Sequence, residues 1–329
     1  MRTLIVSPSW VGDAVLSHPL LVRLKESDPP GAIDVLGPPW ALPVYRRMPE
    51  VDRTLALPFG HGDLQVSARR AFAKSLPRYD RAVVLPNSLK SALIPWFAGI
   101  PVRTGWRGEM RFGLLNDVRK LDKATLPLIV ERYAALAQPA GEGFRRPLPN
   151  PRLIVDEAAR TATLSKYQLE ISKPVAAFAP GAEYGPAKRW PPRHFATLAK
   201  ELVARGYQVW LFGSGKDQDV TAEIQKLCGG ICINLAGRTS LDEAIDLMSV
   251  AQRVVTNDSG LMHIAAALDR PTAAIFGSSS PAFTPPLSPH AKVISLRLSC
   301  SPCFARVCPL GHTNCLETLE PADVLVALE

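Results

Sequence analysis

An apolar run, Val254-Val255-Thr256-Asn257, meets a helical pattern at Asp258-Ser259-Gly260, followed by Leu261-Met262-His263. A strand-to-helix turn of this kind leaves the first backbone N–H groups of the helix without intrahelical partners, which makes an anion site. Gly260 lets a phosphate come close to the backbone. The same residues also suit simple capping, with Asp258 or Ser259 as the N-cap. A second apolar run ends in Pro180-Gly181-Ala182-Glu183-Tyr184-Gly185-Pro186-Ala187-Lys188-Arg189-Trp190-Pro191. Lys188 or Arg189 can neutralise a diphosphate there; a solvated basic loop is the alternative. In Gly213-Ser214-Gly215-Lys216-Asp217, a third loop at a strand end, Asp217 can accept a ribose hydroxyl, as acidic residues of dinucleotide folds do. Near the N-terminus, Ser7-Pro8-Ser9-Trp10-Val11-Gly12-Asp13 offers a carboxylate that can act as a general base or cap a helix.

These loops need a scaffold that gathers strand ends. Leu4–Val6, Ile33–Leu36 and Ala82–Leu85 read as short buried strands with helical stretches between them, including one pattern from Gly12 to Leu24 and a basic one from Leu64 to Leu76. After a proline- and glycine-rich stretch at residues 138–151, the alternation returns. Val175–Ala179, Gln208–Phe212, Arg253–Thr256 and Thr272–Phe276 read as strands, and 195–205, 220–227, 241–250 and 261–268 as helices. Alternation of this kind implies βαβ units on a parallel sheet. The expectation is an α/β chain of two Rossmann-like doubly wound domains, 1–168 and 169–329, binding ligands beyond the carboxyl ends of their strands.

With 329 residues, 47% of them hydrophobic and 21% charged, the chain has ample apolar material for two cores. No stretch approaches the roughly 20 apolar residues of a membrane span, and the first residues do not read as a signal peptide. A cytoplasmic protein without a disulfide framework is expected. The net charge of +8 is uneven: residues 1–170 hold 24 basic and 16 acidic side chains, residues 171–329 hold 14 of each. The halves therefore face different partners. Nucleic acid has poor support, because no recognised binding module is present and aromatics are only 7%.

Together the loops resemble glycosyltransferase family nine, the bacterial lipopolysaccharide heptosyltransferases. Six stretches carry the resemblance in order: Pro8–Asp13, Leu85–Ala92, Arg103–Arg111, Leu114–Arg119, Pro180–Pro191 and Thr256–His263. The resemblance implies a GT-B fold, two Rossmann-like domains facing a cleft. It implies inverting transfer of L-glycero-D-manno-heptose from ADP-heptose to the first heptose of the inner core. The alternatives are transfer to Kdo2-lipid A itself, or a non-catalytic nucleotide-sugar-binding protein; Asp13 and Lys188 speak against the last.

Residue by residue, Asp13 matches the family's catalytic base and Lys188 the lysine that stabilises the donor's phosphates. Asp258, Ser259, Gly260, Leu261 and His263 fall in the donor motif, while Glu183, Tyr184, Asp217 and Thr239 fall where the family lines the donor pocket. On the acceptor side Lys90, Arg103, Arg107 and Arg111, with Arg69, Arg70 and Lys74, are candidates to meet the anionic lipid A–Kdo–heptose acceptor at the cytoplasmic face of the inner membrane. ADP is a stable leaving group, so a cation and a helix N-terminus can replace the second carboxyl that a glycosidase needs, and no obligatory cofactor is expected. Cys300-x2-Cys303-x4-Cys308-x6-Cys315 departs from what the fold requires; four thiolates could hold a structural zinc.

Overall fold

Short runs of β-branched and small apolar residues, closed by proline, glycine or serine, become parallel strands buried on both faces. The computed structural model describes residues 1–60 and 63–329. The chain divides into two units, Met1–Leu153 and Ile154–Glu329. In the first, strands β1 (Arg2–Val6), β2 (Ala32–Gly37), β3 (Arg53–Ala56), β4 (Arg81–Val84), β5 (Val102–Trp106) and β6 (Asp117–Arg119) form one sheet in the order 3-2-1-4-5-6. In the second, β7 (Val175–Ala179), β8 (Gln208–Leu211), β9 (Ile233–Asn234), β10 (Ala251–Asn257), β11 (Thr272–Ile275) and β12 (Ala291–Ile294) pair in the order 12-11-10-7-8-9. Read from each unit's own first strand, the two orders are the same doubly wound topology, as expected, and every pairing among the named strands is parallel. Strand order reverses between β1 and β4, and again between β7 and β10, which is where such sheets open a crevice for ligands.

The helical pattern from Gly12 to Leu24 divides into two helices, Val11–Leu16 and His18–Ser27. The reason is Pro19. Its missing N–H and fixed φ suit a first turn and not an interior, so a new helix begins at His18. Strands β3, β5, β6, β9 and β12 carry no clear apolar signature; β3 and β6 have no fully buried residue, and they form only because a neighbouring strand offers its edge.

Each unit has its own core. In the first, Leu4, Leu36, Tyr79, Ala82, Ile94 and Ile100 pack together. In the second, Phe178, Trp190, Phe195, Leu211, Ile224 and Ile275 do so, all fully buried. Residues 138–156 contain no helix or strand. The helix Glu157–Lys166 that follows makes its ion pair within the second unit, Lys166 Nζ to Glu243 Oε1 at 2.6 Å.

Candidate active site

Trp190 explains how the basic loop after β7 is held. Its ring is fully buried, its indole N–H donates to the Leu319 carbonyl at 2.9 Å, and it stacks on His194 with ring centroids 5.3 Å apart. Burying so large a ring fixes the chain two residues after Lys188. The other fixed point is Asn257, the last residue of β10 and itself fully buried. Its Oδ1 accepts the Trp190 backbone N–H at 3.0 Å and its Nδ2 donates to the Pro180 carbonyl at 2.6 Å. One side chain thus ties both ends of the 180–190 loop to the strand that leads into Asp258. In the sequence Asn257 is marked only as a polar residue closing an otherwise apolar strand.

Between those anchors Lys188 Nζ meets Asp258 Oδ2 at 2.5 Å, with 17% and 6% of the two side chains exposed. Asp258 is therefore engaged with a cation and does not cap. Ser259 holds the N-cap position of the helix Gly260–Ala267, but its hydroxyl makes no capping bond; its neighbour is the Thr256 hydroxyl at 3.4 Å. The first-turn N–H groups at Gly260 and Leu261 have no side-chain cap. Side-chain capping was one of the two readings of this turn, and neither Asp258 nor Ser259 caps; the helix end carries about half a positive charge. His263, one turn in, is 5% exposed, and burial pushes its imidazole down to about 4. It is neutral at physiological pH and adds no charge to the site.

The other predicted residues of this edge pair off. Glu183 Oε1 meets Lys216 Nζ at 2.5 Å, joining the loops after β7 and β8. Asp217 Oδ2 accepts the Ser214 N–H at 2.9 Å and its hydroxyl at 2.8 Å, while Oδ1 lies 3.9 Å from Arg189. Gly181 makes that approach possible, because a Cβ there would stand 2.3 Å from Asp217 Oδ1. Tyr184 donates its hydroxyl to the Phe304 carbonyl at 2.7 Å, and Lys188 Nζ lies 5.1 Å from its ring centroid. Thr239 sits half-buried in the turn after β9. That turn touches the loop after β8, where the Gly237 N–H donates to the Gly213 carbonyl at 2.9 Å.

In the first unit Asp13 is the third residue of the helix Val11–Leu16, whose N-cap is Trp10; it makes no capping bond. Among the described residues no hydrogen-bond donor or cation compensates its carboxylate, and burial pushes its pKa up to about 6. A carboxylate poised this near neutrality suits a general base. Its charge reaches two phenols, the buried Tyr45 and the half-buried Tyr133; Tyr45 shares a 2.9 Å hydrogen bond with Ser17.

The basic residues of the first unit divide. Arg111 is a correction. It is 2% exposed, with its guanidinium given to the carbonyls of Pro86 and Trp106, both at 2.6 Å, and to Asn87 Oδ1 at 3.2 Å. Its role is to pin the loops after β4 and β5, so it is no surface cation. Arg69 likewise is 3% exposed and bonds the Asp63 and Leu64 carbonyls. Arg103 is half-buried and donates to the Ile100 and Leu114 carbonyls at 2.5 and 2.6 Å. Arg70, Lys74 and Arg107 are exposed and Lys90 is half-buried, none with a carboxylate partner among the described residues.

The zinc expectation is also corrected. Among the described residues no group of three or more His, Cys, Asp or Glu is placed to hold a metal ion, and all six cysteines are free thiols. The segment is organised by other bonds. The nearby backbone N–H groups, that of Thr313 foremost, lower the Cys308 thiol pKa; the Gly311 N–H donates to the Cys308 carbonyl at 3.1 Å, and His312 Nδ1 accepts the Asn314 N–H at 3.0 Å.

Residues 69–314 match the sequence pattern of glycosyltransferase family 9 (heptosyltransferase). Lipopolysaccharide heptosyltransferase 2 of Escherichia coli K12 is 52% identical over 307 residues, 90% of this chain and 88% of that protein. Lipooligosaccharide heptosyltransferase 2 of Haemophilus influenzae is 48% identical over 310 residues, covering 90% and 89%. The solved structure of the E. coli ADP-heptose LPS heptosyltransferase II superposes with a TM-score of 0.90 at 47% identity, over 100% of this chain and 97% of that one.

Proposed function

The chain belongs to glycosyltransferase family 9, and from that premise we propose that it moves heptose from ADP-heptose onto the first heptose of the lipopolysaccharide inner core with inversion. The observation that carries this reading is the Lys188–Asp258 pair beside an uncapped helix N-terminus, in a chain about half identical to named heptosyltransferases 2. Asp13 takes the proton of the acceptor hydroxyl. The resulting oxygen attacks the anomeric carbon from the face opposite the diphosphate; the carbon–oxygen bond to the phosphate breaks as the new glycosidic bond forms. ADP departs with one more negative charge, met by Lys188 and the Gly260 and Leu261 N–H groups. ADP-heptose is a co-substrate here. Glu183, Tyr184, Asp217, Thr239 and His263 line the donor side, and the second unit, Ile154–Glu329 rather than 169–329, forms the donor-binding domain.

Arg70, Lys74, Lys90 and Arg107 belong to the half of the chain that carries the whole +8. Lipid A and Kdo bear phosphates and carboxylates, so this half meets the acceptor at the cytoplasmic face of the inner membrane, as a peripheral contact. Among the described residues no helix is long and apolar enough to cross a membrane.

The test is acceptor choice. Purified protein with ADP-heptose should release ADP with heptosyl-Kdo2-lipid A and not with Kdo2-lipid A. Equal or faster turnover of the acceptor that lacks heptose would assign the chain to the earlier transfer. Full activity in Asp13→Ala would remove Asp13 as the base.

A further inference from the structure

The donor edge has a charge problem. A nucleotide diphosphate sugar carries about two negative charges, and ADP leaves with more. Yet each cation of the loops after β7 and β8 already faces a carboxylate: Lys188 with Asp258, Arg189 with Asp217, Lys216 with Glu183. These three pairs sum to zero. The helix N-terminus adds only about half a charge. Two buried negative charges left this poorly matched would bind weakly.

Arg306 answers the deficit. It lies in the cysteine-bearing segment that neither the donor motif nor a metal explains. That segment is fastened to the donor edge by its backbone. The Phe304 N–H donates to the Ser278 carbonyl at 2.6 Å, the Ser301 hydroxyl to the Gly277 carbonyl at 2.5 Å, and the Arg306 carbonyl accepts the Ala187 N–H at 3.1 Å. The approach is so close that a Cβ on Gly185 would stand 2.5 Å from the Arg306 carbonyl oxygen. The Arg306 guanidinium carbon lies 5.1 Å from the Tyr184 ring centroid, the same distance as Lys188 Nζ from that ring. Two cations at that range from one ring can be no more than about 10 Å apart. Tyr184 itself is held by the Phe304 carbonyl. The guanidinium is exposed and, among the described residues, has no carboxylate partner and no hydrogen-bond acceptor.

We infer that Arg306 is a second diphosphate-binding cation, positioned by Tyr184, and that the 300–315 segment is part of the donor site because it delivers this charge. A guanidinium suits the task, since it meets phosphate oxygens in bidentate fashion and stays charged. The inference rests on the donor reading above.

Calorimetric titration of Arg306→Ala, Arg306→Lys and the parent protein with ADP, AMP and adenosine tests it. The backbone contacts of residue 306 do not need its side chain, so the variants keep the parent melting temperature within a degree or two. Arg306→Ala should bind ADP at least tenfold more weakly and adenosine as the parent does, with Arg306→Lys in between; kcat with ADP-heptose should fall along with the rise in KM, because charge grows as ADP leaves. ADP affinity within twofold of the parent overturns the assignment, and so does an equal loss for adenosine, which would mean a merely structural role. A parent protein that binds no ADP overturns the donor reading itself, and this assignment with it.

Discussion

Asp13→Asn separates catalysis from stability in one substitution. Burial holds the Asp13 carboxyl at about 6 against an ordinary 3.8. Two pKa units at about 1.4 kcal/mol each give about 3 kcal/mol, and about 2 kcal/mol once the part of the carboxylate still reached by water is discounted. The folded-state pKa lies above the unfolded one, so the folded protein holds its proton more tightly. The stability this confers is complete below about pH 3.8 and is lost as pH rises through 6. At pH 7.5 the ionised carboxylate therefore costs the first unit about 2–3 kcal/mol, and the isosteric, neutral Asn removes that cost. Urea unfolding of the purified proteins at pH 7.5 should show Asp13→Asn more stable by this amount, with the gap closing by about pH 4. Turnover should fall by a factor of about 10² to 10⁴, the usual worth of a general base. For the parent protein, kcat/KM should lose about tenfold between pH 7 and pH 5, with its acid midpoint near 6. A variant no more stable than the parent at pH 7.5, or a gap of the same size at pH 4, would refute the claim that the half-buried Asp13 is held desolvated as a charge for function.

Three further outcomes follow from the geometry. Lys188→Met strands Asp258, which is 6% exposed; it should destabilise the second unit by about 3 kcal/mol, and the double variant with Asp258→Asn should recover melting temperature but not ADP release. Asn257→Ala leaves the Trp190 N–H and the Pro180 carbonyl unpaired; a loss of about 2–4 kcal/mol by denaturant titration should come with a KM for ADP-heptose raised about tenfold or more. Arg111→Ala should lower the stability of the first unit by about 2–4 kcal/mol through the lost bonds to the Pro86 and Trp106 carbonyls, whereas Arg107→Ala should stay within about 0.5 kcal/mol in unfolding experiments and instead weaken acceptor use in kinetic assays.

Much of the fold was legible because parallel strands buried on both faces are written as short apolar runs. The apolar runs Leu4–Val6, Val175–Ala179 and Thr272–Phe276 fall on the strands Arg2–Val6, Val175–Ala179 and Thr272–Ile275. Strands such as Arg53–Ala56 and Asp117–Arg119 were not legible, since an edge strand needs only a neighbour's free N–H and C=O groups, and those belong to distant segments. The break at Pro19 was legible in principle, and a longer apolar periodicity masked it.

Of the site, the sequence by itself determined the chemical types: a carboxylate in the Trp10–Asp13 turn, a lysine in a glycine-rich loop, and an Asp-Ser-Gly turn before a helix. Residue type and local spacing suffice for that, because turns and helix starts are short-range structures. Tertiary structure alone decided which charges are spent and which are free. Lys188 and Asp258, 70 residues apart, neutralise each other, Arg111 is buried under loop carbonyls while Arg107 stays exposed, and Asp13 has no partner among the described residues, its pKa raised by desolvation. Charge in a sequence is a count, whereas in a fold it is a matter of distance and dielectric, and both are set by segments that meet only when the sheets assemble.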